Sequence, residues 1–169
     1  MTFGHFLFVA LGGLAVFGVI TSTVYSLMVA WAVVRFLRRA ASASPRVFQP
    51  PVSVLKAVHG DEPNLEENLS SFFQQDYPEY EILFCARHSN DAGLEAARRV
   101  AARFPRITTR ILTCGEPPWP NARTFSMEIM RREARYPILV ASDSDVRGGP
   151  DYLASVVAPL ADPNVGMVT

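Results

Sequence analysis

The chain has 169 residues, with 16 basic and 16 acidic side chains, so its formal net charge is zero. That balance leaves no electrostatic footprint for nucleic acid, and none is expected as a partner. Cys85 and Cys114 lack metal-ligand spacing and give neither a disulfide framework nor a zinc site. The length allows about one domain.

The charges are distributed unevenly. Residues 1–34 contain no Asp, Glu, Lys or Arg, and residues 6–34 are apolar apart from Gly and the hydroxyls of Thr21, Ser22, Thr23 and Ser26. About 20 such residues suffice for a helix to cross a bilayer. A cleaved signal peptide would show a basic start and a shorter apolar core, so the segment reads as an uncleaved anchor. Arg35, Arg38, Arg39 and Arg46 follow it, and the first acid is Asp61. By the positive-inside rule this flank, and the soluble part after it, belong in the cytoplasm. The expected organisation is an anchor with its basic flank over 1–39, a Pro- and small-residue linker over 40–51, and one soluble domain over 52–169.

Within that domain, elements alternate. Residues 52–58 read as a strand, and 63–74 as a helix with Leu65, Leu69, Phe72 and Phe73 on one face. Pro63 suits a first helical turn. Residues 80–86 form a second strand. Asp91 opens a helix whose apolar face is Leu94, Ala97, Val100, Ala101 and Phe104. Residues 107–113 give a third strand, 114–121 a Pro-rich loop, 122–135 a helix, 137–142 a fourth strand and 151–160 a further helix. A fifth strand is expected to begin at Val165, leaving the sheet unfinished where the chain ends. This alternation predicts an α/β fold with a mostly parallel sheet.

In such a sheet, ligands bind outside the carboxyl ends of the strands. Asp143-Ser144-Asp145 stands there, where an apolar strand runs out. Two carboxylates one residue apart suit a hard divalent cation, Mg2+ or Mn2+, that also holds phosphate oxygens. The bland reading is a turn in which Asp side chains bond nearby amides. Asp91 reads equally as a helix cap. Glu62 reads as a first-turn acid favoured by the helix dipole or as a ribose contact, and Lys56 as a solvated charge at a strand end. His59 and His88 read as loop residues, Trp119 as a packing wedge or a border of the donor site, and Phe72 and Phe73 as core.

Several motifs together resemble the ceramide glucosyltransferase family, which includes bacterial hopanoid-associated glycosyltransferases. They are PVSVLKAVHG at 51–60, DEPNL at 61–65, NLSSFF at 68–73, QDYP at 75–78, DSDVR at 143–147 and GPDYL at 149–153. The resemblance covers essentially the whole soluble part. It implies a GT-A-like (Rossmann-like) fold and inverting transfer of a sugar, glucose or an N-acetylhexosamine, from a nucleotide sugar such as a UDP-sugar to a lipid acceptor at the membrane. It places Asp91 at the nucleobase, Asp143 at metal and diphosphate with Asp145 as a second metal ligand, Arg123 near the diphosphate where the family has Lys, and Lys56 at a matching lysine, which with Glu62 is expected among the contacts to the nucleotide sugar. Ala57, Arg87-His88 and Ser126 depart from the family pattern. The family's third aspartate, its presumed base, and its Arg-Trp motif are expected beyond Thr169, so no catalytic residue is assigned and this fragment alone is expected to be inactive. Two other readings stand beside this one: a non-catalytic nucleotide-sugar-binding remnant, and a metal-dependent phosphohydrolase.

Overall fold

The computed structural model describes residues 3–42 and 48–169. Arg46 and the middle of the expected linker lie outside the described residues. The chain divides into two compact units, Met1–Ser44 and Pro45–Thr169.

The first unit is one helix, α1 (Phe3–Ser42), of 40 residues. Its stretch Ala10–Arg38 is long and apolar enough to cross a membrane. The side chains of Leu14, Phe17, Ile20, Trp31 and Phe36 all face outward. Three of its hydroxyls bond within the helix: Thr21 donates to Phe17 O at 3.0 Å, Thr23 to Val19 O at 2.8 Å and Ser26 to Ser22 O at 2.9 Å. Such back-bonding pairs these three hydroxyl hydrogens within the helix itself.

The second unit holds a parallel sheet of β1 (Val52–Ala57), β2 (Tyr80–Ala86), β3 (Thr108–Thr113) and β4 (Ile138–Ala141), in the order β3-β2-β1-β4. The helices are α2 (Leu65–Phe72), α3 (Ala92–Arg103), α4 (Ala122–Glu133) and α5 (Tyr152–Val157). Central β1 and β2 are buried on both faces, as a covered parallel sheet requires. Val52, Val54, Ile82, Phe84 and Val140 pack on one face against Leu69 and Phe72 of α2, Leu94 and Val100 of α3 and Leu153 of α5. Leu55, Leu83 and Cys85 pack on the other against Met130 of α4.

The strand order follows from this division. From β1 through β2 to β3 the chain steps one way across the sheet, with α2 and α3 on one face. It then returns over the opposite face by α4 and places β4 on the far side of β1. Right-handed crossovers dictate that change of face. Buried Glu81 secures the return: its carboxylate accepts from Ser53 Oγ at 2.6 Å and from Arg135 N at 2.6 Å.

Three sequence expectations need correction. Val165 does not begin a fifth strand. Its N–H instead closes a turn onto Asp162 O at 2.9 Å, and Met167 is exposed; β-type side chains are a weak preference that the surrounding structure overrides. Pro63 precedes the helix rather than entering its first turn, because Asn64 takes a left-handed conformation at φ 59° and α2 starts at Leu65. Finally, the helix expected over 151–160 stops at Val157 and tightens into a 3-10 turn, Ala158–Ala161, because Pro159 has no N–H to continue the α pattern.

Candidate nucleotide and metal site

The chain reverses its stepping direction between β1 and β4. In open α/β sheets the crevice at such a switch point is where ligands bind. Here the end of β1 brings Lys56, the loop after it brings Glu62, and the loop after β4 brings Asp143 and Asp145.

Lys56 is 0% exposed. It alternates with Val52 and Val54, so it points under α2 and not into solvent. Its ammonium lies 3.6 Å from the centre of the Phe72 ring. It donates to Ser142 Oγ at 3.1 Å and to Asp143 O at 2.7 Å. Burial lowers its pKa to about 7, against the attraction of Asp143, Asp145 and Glu62. The bland reading of Lys56 as a solvated strand-end charge is therefore excluded.

Two further contacts join the loops. Ser144 Oγ donates to Glu62 Oε2 at 2.6 Å. Arg123 Nε and Nη2 both meet Asp143 Oδ1 at 2.7 Å, with the two side chains 58% and 55% exposed. Arg123 lies in the first turn of α4, which has no acid there. A cation is disfavoured at a helix N-terminus, so its place is explained by the carboxylate it faces. Asn121 caps the same helix by accepting from Thr124 N at 3.0 Å.

Asp91 stands apart, after β2. It caps α3: Oδ1 accepts from Gly93 N at 2.8 Å and from Gly60 N at 3.0 Å, while Oδ2 faces His59 Nδ1 at 3.2 Å. A side chain at Gly93 would meet Asp91 Oδ1 at 3.0 Å, Val58 at 3.1 Å and Gly60 O at 3.2 Å. The start of α3 is thus fitted closely to the loop after β1. Both readings of Asp91 survive, but the cap is physically present. Asp91→Ala should therefore cost about 1 kcal/mol or more in stability, as loss of a helix cap does. Thermal melting checks it, and an unchanged midpoint would show the cap to be idle.

Four of the six residues singled out from sequence are thus linked by contacts (Lys56, Glu62, Arg123 and Asp143), and Asp145 adds its charge to the same loop. Sequence reasoning missed Ser142 as a partner, the Ser144 bond and the Phe72 platform. Of these only the Phe72 platform carried a signal: Lys56 shares a strand face with Val52 and Val54, and Phe72 lies on the apolar face of α2 that covers it.

Among the described residues, no three His, Cys, Asp or Glu side chains converge on a point that could hold a metal. The protein can offer the exposed carboxylates of Asp143 and Asp145. That donor set fits Mg2+ or Mn2+ held by one or two carboxylates and completed by substrate phosphates.

The fold is a parallel α/β sheet of GT-A-like architecture. The chain belongs to glycosyl transferase family 21, whose model matches residues 14–169. It is 36% identical to ceramide glucosyltransferase 1 of Caenorhabditis elegans over 111 residues, covering 66% of this chain and 24% of that protein. It is 38% identical to ceramide glucosyltransferase of Komagataella phaffii over 61 residues, covering 36% of this chain and 12% of that protein. The chain thus spans a quarter or less of these relatives. Among solved structures, a mannosyltransferase from Pyrobaculum calidifontis, PcManGT, in complex with GDP-Man and Mn2+, superposes with a TM-score of 0.64 at 26% identity, over 79% of this chain and 41% of that one. TarS of S. aureus in complex with UDP-GlcNAc shares the fold alone, with a TM-score of 0.51 at 18% identity over 64% of this chain and 31% of that one.

Proposed function

We propose that this chain supplies the nucleotide-sugar- and metal-binding part of a membrane-anchored inverting glycosyltransferase, which moves a sugar from a UDP-sugar to a lipid acceptor. One observation carries the reading: exposed Asp143 and Asp145 follow β4 at the switch point beside β1. Family membership and the PcManGT complex with a nucleotide sugar and Mn2+ support it.

Asp143 and Asp145 would hold Mg2+ or Mn2+, a Lewis acid that stabilises charge on a departing diphosphate. Arg123 has five donors in a fixed fork, suited to phosphate oxygens as well as to carboxylate. It can turn from Asp143 to the diphosphate without leaving the first turn of α4. Glu62 holds Ser144 and so fixes the middle of the acidic loop. Asp91 holds the loop after β1 and lines the approach after β2, the side proposed for the base. No residue of this chain is assigned as the general base for the acceptor hydroxyl. Helix α1 is proposed as the membrane anchor, with Arg35, Arg38, Arg39 and Arg46 keeping the second unit on the cytoplasmic side.

Calorimetric titration of the detergent-solubilised chain with UDP tests this. Binding is expected in Mn2+ and not in chelator. Binding of equal strength in chelator, or none in either, would contradict it.

A further inference from the structure

We infer that Lys56 is a positioning residue: from beneath the site its ammonium fixes the backbone of Asp143, and so sets where the Asp143 and Asp145 carboxylates stand, without touching nucleotide or metal. This rests on the proposed function. It departs from the reading of Lys56 as a ligand contact.

The place where the sheet stops is the first reason. The ladder between β1 and β4 ends with Leu55 opposite Ala141, and the last backbone bond across the pair is Ser142 N to Leu55 O at 3.1 Å. Beyond it the two chains part at the switch point. The next bonds from the β1 side are made by side chains: Lys56 Nζ to Ser142 Oγ and Asp143 O, then Glu62 to Ser144 Oγ. Lys56 therefore continues the ladder by one rung after the backbone has stopped.

The second reason is chemical. Lysine is almost never fully buried without a partner, yet Lys56 is buried and has no carboxylate within salt-bridge distance among the described residues. What compensates it is the Phe72 ring at 3.6 Å and the Asp143 carbonyl at 2.7 Å. Both fix the ammonium in place rather than present it to solvent. A ligand approaching the exposed carboxylates meets the loop and not the lysine.

The test compares Lys56→Met with wild type in the full chain. Methionine fills the same space against Phe72 but cannot donate. Mn2+-dependent UDP affinity should fall about tenfold, the effect of removing a partner that orients a metal ligand. Amide hydrogen exchange at residues 142–146 should speed up, while exchange in α2 and α3 stays at wild-type rates. A merely structural lysine would instead lower the melting point and speed exchange throughout. If Lys56→Met does not fold, Lys56→Gln carries the test, because its amide is one atom too short to reach Asp143 O and the same losses are expected. Wild-type exchange at 142–146, or wild-type UDP affinity, in a folded variant overturns the inference. If wild type itself shows no metal-dependent UDP binding, the proposed function fails, and the exchange rates still decide the role of Lys56.

Discussion

In Asp143→Asn, Mn2+-dependent UDP binding falls by about tenfold or more, a loss of at least about 1.4 kcal/mol. The substitution keeps the shape of the side chain and the backbone carbonyl that Lys56 holds. It removes a full negative charge where the metal and diphosphate are proposed to meet. Folding should be nearly unaffected, because the pair with Arg123 is more than half exposed and such pairs contribute about 1 kcal/mol or less. Asp145→Asn should cost less, since only Asp143 is fixed through both its backbone and its side chain. Titration of each variant with and without chelator separates the two positions. Unchanged affinity in Asp143→Asn would remove the central residue of the site.

Phe72→Ala has the largest expected effect on stability, a loss of about 3–5 kcal/mol for a buried aromatic. Phe72 is 0% exposed. It meets Tyr152 edge-on at 5.4 Å and lies under the Lys56 ammonium. Its removal opens a cavity and strips a buried cation of its platform at once. Against a total of about 5–15 kcal/mol for a typical domain, much of the stability is lost. Urea unfolding of Phe72→Ala and Phe72→Leu checks it, with the leucine variant expected between alanine and wild type. A cost under about 1 kcal/mol would mean that α2 does not pack as described.

The alternating elements were legible because their signals are local: buried strands are short apolar runs, and helices repeat their apolar positions. The acidic pair was legible for the same reason, standing where such a run ends. The links between loops were not. Ser144 with Glu62, and Arg123 with Asp143, depend on β4 lying beside β1, and strand order is written in no local pattern. Lys56 is a different case. Its alternation with Val52 and Val54 placed it toward α2, but its charge suggested the surface. The burial of a cation is decided by tertiary partners, here an aromatic ring from α2 and a carbonyl after β4. The supposed fifth strand failed in the opposite way: its residues are strand-like, but Val165 N–H is taken by a turn onto Asp162 O.

The most direct test of the central claim is anomalous diffraction from crystals of this chain grown with Mn2+ and UDP. A manganese peak is expected in contact with the Asp143 carboxylate, between the ends of β1 and β4, with the diphosphate oxygens completing its coordination and Arg123 turned from Asp143 toward the phosphates. Manganese bound elsewhere, or UDP bound with Asp143 still paired to Arg123 and no metal between them, would contradict it.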